Sequence, residues 1–153
     1  MRRAALLCAP LLVAACGDAE DGDMTEDSTD MTMAPAALTA ADLVGTWDLE
    51  VRTMTSDSVI LNGTMAMAAG SAVATQMIGD GEAQTVNLTF DGDSVMTSID
   101  PYPSNLREGV MVATTGVYRL VNGRVEGITT ARYQGDTTAD SVVQFRGTWT
   151  RRP

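Results

Sequence analysis

The sequence predicts an all-β fold: a single small antiparallel up-and-down barrel of about eight strands, preceded by an export segment and an acidic tether. Three observations carry this expectation. From Asp42 to Pro153 the chain holds 13 Val, 16 Thr and 4 Ile, and branching at Cβ suits a pleated, half-buried surface better than a helix. Apolar and polar residues alternate with period two in several runs, the mark of a strand with one wet face. Hairpin dipeptides fall between these runs, and no long helical stretch is available for a parallel crossover, so the pairing is antiparallel.

The elements follow in chain order. Arg2 and Arg3 place positive charge at the start, and Ala4 to Ala15 carries no charge. That stretch is too short to span a bilayer as a helix, so residues 1–15 read as a secretory signal peptide outside the fold. The ending Val13-Ala14-Ala15-Cys16 resembles the lipobox of bacterial lipoproteins. The resemblance implies acylation of Cys16 and attachment of the mature chain to a lipid bilayer, where more than one acyl chain gives stable anchoring. The alternative is an ordinary signal peptide cut nearby, leaving Cys16 as a stray thiol. Gly17 follows Cys16. By resemblance to enterobacterial sorting, it points to the outer membrane where the source has one, with the domain in the periplasm or at the cell surface.

Residues 16–41 form the expected tether. Asp18, Glu20, Asp21, Asp23, Glu26, Asp27 and Asp30 occur there without a basic residue, and the apolar residues show no period. Such a stretch cannot bury enough surface to offset its ordering entropy, so it is expected to be a disordered linker. The ligand spacing of an EF-hand loop is absent from it.

The barrel domain is expected over residues 42–153, with strands at 44–54, 58–68, 72–78, 84–90, 93–99, 110–121, 124–134 and 141–150. In the first, Trp47, Leu49 and Val51 alternate with Asp48, Glu50 and Arg52. The second and third meet at Gly70-Ser71, although Met65 to Ile78 is rich in Ala and Met and a helix there stays open on propensity. Val86, Leu88 and Phe90 alternate with Thr85, Asn87 and Thr89, and Asp91-Gly92 leads into the fifth strand. Asp100 to Gly109, containing Pro101 and Pro103, is expected to be a longer loop. Asn122-Gly123 between the sixth and seventh strands is the strongest hairpin signal in the chain. The last strand alternates Val143, Phe145, Gly147 and Trp149 with Gln144, Arg146 and Thr148. Long hairpin-linked strands favour a barrel over a sandwich, and eight close at a width that holds side chains or one small ligand.

Gly45-Thr46-Trp47 at the head of the first strand resembles the Gly-x-Trp of lipocalin-type (calycin) barrels. The resemblance spans residues 42–153 and implies a late arginine packed across the early tryptophan, a role open to Arg146 or Arg151. The triplet recurs as Gly147-Thr148-Trp149. Trp47 and Trp149 therefore also read as large core residues where the first and last strands close the sheet.

Composition excludes much chemistry. The chain has no His and no Lys, and both its Cys, Cys8 and Cys16, precede the domain. The domain therefore lacks the parts of a Ser-His-Asp triad, a cysteine nucleophile, a lysine Schiff base or a His/thiolate metal site, and we expect no enzyme, no metal and no cofactor. A net charge of −10 opposes binding to nucleic acid. Asp48 with Glu50, and Asp91 with Asp93, are the nearest carboxylate pairs, and nothing in their setting marks an acid–base dyad. Arg119, Arg124, Arg132 and Arg146 form either an anion-binding stripe or an ordinary charged face.

Two function classes remain. The first is a membrane-anchored binding module whose barrel holds a small apolar or amphipathic ligand against Trp47, Leu49, Val86, Leu88, Tyr118, Tyr133, Phe145 and Trp149. The second is a non-enzymatic protein-interaction or structural lipoprotein with a filled barrel, such as an inhibitor of a secreted enzyme, acting through loops such as Asp100–Gly109. They differ in lumen volume: a ligand barrel holds a cavity of ~300 Å³ or more. The small residues Thr114, Gly116, Gly127, Thr129 and Ala131 fit either a hollow barrel or a narrow closed one.

Overall fold

The computed structural model describes residues 37–135 and 139–153. The expected signal peptide, Cys16 and most of the expected tether lie outside these residues. A four-residue helix, α1 (Ala40–Leu43), leads into eight strands: β1 (Gly45–Thr53), β2 (Val59–Met67), β3 (Val73–Ile78), β4 (Gln84–Asp91), β5 (Ser94–Pro103), β6 (Met111–Val121), β7 (Arg124–Tyr133) and β8 (Val142–Arg151). Each strand pairs with its sequence neighbours, and β8 returns to β1, closing an up-and-down antiparallel barrel. Closure leaves no strand edge to pair with another chain. The alternation read from the sequence becomes the two faces of this wall. Trp47, Leu49, Phe145 and Trp149 turn inward and are buried. The closing register sets Leu49 opposite Trp149 and Trp47 opposite Arg151.

The open choice at Met65 to Ile78 resolves as two strands. Gly70 takes a positive φ of 74° at the turn, and Met65 pairs with Gln76. Barrel closure places Met65, Met67, Ala74 and Ile78 on the inner face, so pairing across the turn overrides the helical propensity of Ala and Met. At the β6–β7 hairpin Asn122 and Gly123 both have positive φ, 51° and 78°, the conformation that a two-residue turn of matching twist requires.

Two boundaries differ from expectation. Residues 100–103 belong to β5 instead of opening the loop, and the register shifts between Ile99 and Tyr102. That bulge absorbs Asp100-Pro101, where proline can forgo a ladder bond, and it turns Tyr102 toward the lumen. The packed chain also begins before Asp42. Leu38 is buried, and its amide donates to the Gly92 carbonyl at 3.0 Å.

Candidate binding site

The barrel has one sealed end. Leu43 of α1 is fully buried beneath Trp47, whose Nε1 donates to the Leu43 carbonyl at 2.9 Å. Thr39 holds the start of α1 by donating from its amide and its hydroxyl to Asp42 Oδ2, at 2.8 and 2.7 Å. These bonds keep the Asp42 carboxyl below its usual range, with Arg151 contributing less. The Arg151 guanidinium lies 4.4 Å from the centre of the Trp47 ring and donates to the Val44 and Asp42 carbonyls. Of the two candidate arginines it is Arg151 that covers the tryptophan. Arg146 faces outward and bonds Asp57 Oδ1 at 2.9 Å and the Ser56 carbonyl at 2.7 Å. Alternation explains the choice: Arg151 shares the inward phase of Phe145, Gly147 and Trp149, and Arg146 does not.

Tyr118 lies buried across the inner face of the barrel wall. A Cβ added at Gly116 would meet its ring at 2.5 Å, one at Gly127 at 2.6 Å, and one at Gly147 would meet its hydroxyl at 2.7 Å. Glycines on β6, β7 and β8 thus form one trough that the tyrosine fills. Its ring also lies 4.3 Å from that of Trp149, tilted by 40°. The hydroxyl bonds Thr129 Oγ1, and burial still pushes the phenol pKa up. Part of the space that small residues left open in the sequence is therefore occupied by a side chain.

Above Tyr118 the lumen opens into a cavity of about 80 Å³. Leu49, Val86, Ile99, Val112, Phe145 and Trp149 supply much of its apolar wall, and Thr97, Thr114, Thr129 and Gln76 supply hydrogen-bonding groups. Glu50 borders it, but its carboxylate is engaged by Arg52 on the outer face at 2.7 Å. The lining is therefore suited to an uncharged guest, since an ion brought there would lose water without gaining a counter-charge. Tyr102 enters near the rim. Burial raises its phenol pKa, and its hydrogen bond to Thr114 offsets this only in part.

Residues 104–110 cover the rim. The Ser104 amide donates to the Val110 carbonyl at 2.8 Å and closes the neck of the loop. Ser104 Oγ accepts from the amides of Leu106 and Arg107 at 3.1 and 3.0 Å. Outside itself the loop is fastened by Asn105 Nδ2 to the Ile78 carbonyl at 3.1 Å, and by Arg107. The Arg107 guanidinium sits 3.8 Å from the Tyr133 ring centre and donates to the Asp140 carbonyl at 3.0 Å.

All eight interior candidates are buried. Leu49, Val86, Tyr118, Tyr133, Phe145 and Trp149 border the cavity, whereas Trp47 and Leu88 lie in the sealed half. Tyr102 and Asn105 were missed because a bulge and a loop contact leave no periodic signal; Thr97 was missed although it shares the inward phase of Val95 and Ile99. Of the four arginines, Arg124 and Arg146 border one outer groove with Arg52, Asp57 and Glu126, where Arg146 pairs with Asp57, whereas Arg119 reaches Ser94 Oγ at 3.0 Å and Asp93 at 3.4 Å. Asp48 and Glu50 are each paired with their own arginine, Arg152 and Arg52. Among the described residues no three acidic, Cys or His side chains are grouped as metal ligands.

Fold and site together define a closed eight-stranded antiparallel β-barrel, sealed at one end and holding a small uncharged cavity near the other. No protein-family model, curated protein or solved structure matches the chain.

Proposed function

We propose that this is an exported, Cys16-anchored lipoprotein of the cell envelope whose lipocalin-like barrel binds a small apolar or amphipathic ligand without catalysis. The observation that carries the reading is the one-sided lumen. Its sealed half is filled by Leu43, Trp47 and Met65, while its other half keeps a cavity with apolar walls and a few hydroxyls. Such a mixture is the usual lining of a small-molecule site. The volume of about 80 Å³ lies well below the ~300 Å³ of such sites. The guest is therefore slender, and it enters end-first with displacement of part of the rim. Lack of His and Lys throughout, and of Cys in the domain, supports a non-catalytic role.

The same small volume favours a second reading, in which the barrel is a filled scaffold and its loops contact a protein partner. Native mass spectrometry of the protein purified from its own host separates the two. A co-purifying small mass, lost from a variant with Phe145→Trp in the cavity wall, supports ligand binding. A stoichiometric protein partner with no small mass supports the scaffold and removes the first reading. The N-terminal mass of the same sample reports acylation of Cys16, and a Cys16→Ala chain is expected to leave the membrane fraction.

A further inference from the structure

The lumenal cavity has a neighbour. A groove of about 290 Å³ lies outside the rim, between the β3–β4 turn and the end of β5, lined by Ile78, Asp80, Gly81, Glu82, Gln84, Tyr102, Pro103 and Asn105. Ile78, Tyr102 and Asn105 border both spaces. Asn105 stands at this boundary and, among the described residues, its side chain bonds the Ile78 carbonyl, at 3.1 Å. Gly81 leaves room beside it: a Cβ there would meet Asn105 Oδ1 at 3.1 Å.

We infer that Asn105 is the door between cavity and groove, and that the joined space is the site of a single-chain amphiphile with an uncharged tail in the lumen and a cationic head beside Asp80 and Glu82. This rests on the ligand-binding reading above and names the ligand class for it. Three observations converge. The cavity alone is too small for an ordinary ligand, whereas cavity and groove together pass the ~300 Å³ at which such sites begin. Among the described residues that line the cavity Glu50 alone is charged, and its carboxylate is held by Arg52, so the lumen accepts the tail and rejects the head. Among the described residues the groove is lined by two carboxylates and no basic side chain, within a chain of net charge −10, so the head it favours is positive. Arg107 is engaged with Tyr133 and the Asp140 carbonyl and does not line the groove.

The test is calorimetric titration of the intact protein with decylammonium, decanol and decanoate, each below its micelle concentration and at low ionic strength. Decylammonium is expected to bind about tenfold or more tightly than decanoate, with decanol between, because the exposed carboxylates attract one head and repel the other. The gap is expected to close in 1 M salt, where screening acts over about 3 Å, and in the Asp80→Asn/Glu82→Gln variant, with decanol unchanged. Asn105→Ala is expected to speed association of decanol several-fold in stopped flow. Equal or tighter binding of decanoate, or a gap that survives neutralisation of both acids, overturns the head assignment while decanol binding keeps the lumenal reading. An unchanged association rate in Asn105→Ala overturns the door. Failure of all three probes to bind overturns the lumenal reading itself.

Discussion

The two ends of the barrel are built from the same strands and differ in how they are filled. At the sealed end Leu43, Met65, Val95 and Val125 are 0% exposed and Trp47 1%, and Arg151 ties the last strand to α1 and the first. At the other end Thr97, Thr114 and Tyr102 are half-buried around a cavity, under a loop fastened by a few polar contacts. Stability is concentrated where side chains interlock, and room for a guest exists where they do not. Tyr118, lodged in its glycine trough, marks the boundary between the two.

The sharpest way to break this contrast is Trp47→Ala against Phe145→Ala in urea unfolding. Emptying the sealed end should cost about 3–5 kcal/mol. Phe145 already borders a cavity, so its removal should cost at least about 1 kcal/mol less. Equal losses would mean the two ends are packed alike. Next comes Gly127→Ala, whose Cβ would run into the Val117 carbonyl and sit 2.7 Å from Tyr118 Cα. Because backbone cannot yield as a side chain can, a loss of about 2–3 kcal/mol is expected; a neutral result would show that the trough has slack.

Arg151→Ala should cost about 1–2 kcal/mol through its lost carbonyl bonds and its contact with the Trp47 face. Arg146→Ala, at a partly exposed outer pair, should cost less. Reversal of that order would detach Arg151 from the seal.

The smallest expected effect is electrostatic. Thr39 holds the folded-state pKa of Asp42 below its usual value. The stability it contributes is therefore full above the unfolded value of about 3.9 and is lost as pH falls through the lower folded value. The difference between the parent chain and Asp42→Asn should accordingly vanish in strong acid. A difference that persists there would belong to packing of α1, not to its charge.

Much of the barrel was legible because its signals are local. Trp47, Leu49 and Val51 declare an inner face by alternation, and Asn122-Gly123 declares a hairpin by its dihedral preference. The bulge after Ile99 was not legible, since Pro101 and Pro103 read as loop until a neighbouring strand supplies the register. The site was legible only as a set of inward positions. Nothing in the order of residues distinguishes Leu88, in the sealed half, from Leu49, which borders the cavity. The door residue Asn105 depends on a carbonyl 27 positions away.

The amino-acid sequence by itself determined most of the strands, their antiparallel order and most of the side chains that face inward, because those follow from neighbours along the chain. The two strands that share Met65 to Ile78 and the end of β5 waited on pairing across the sheet. Tertiary structure alone decided whether Gly116, Gly127 and Gly147 left a void or were covered, which arginine met Trp47, and how much lumen remained. Those outcomes depend on volumes contributed by several strands at once, and Tyr118 fills a space that three different strands vacate.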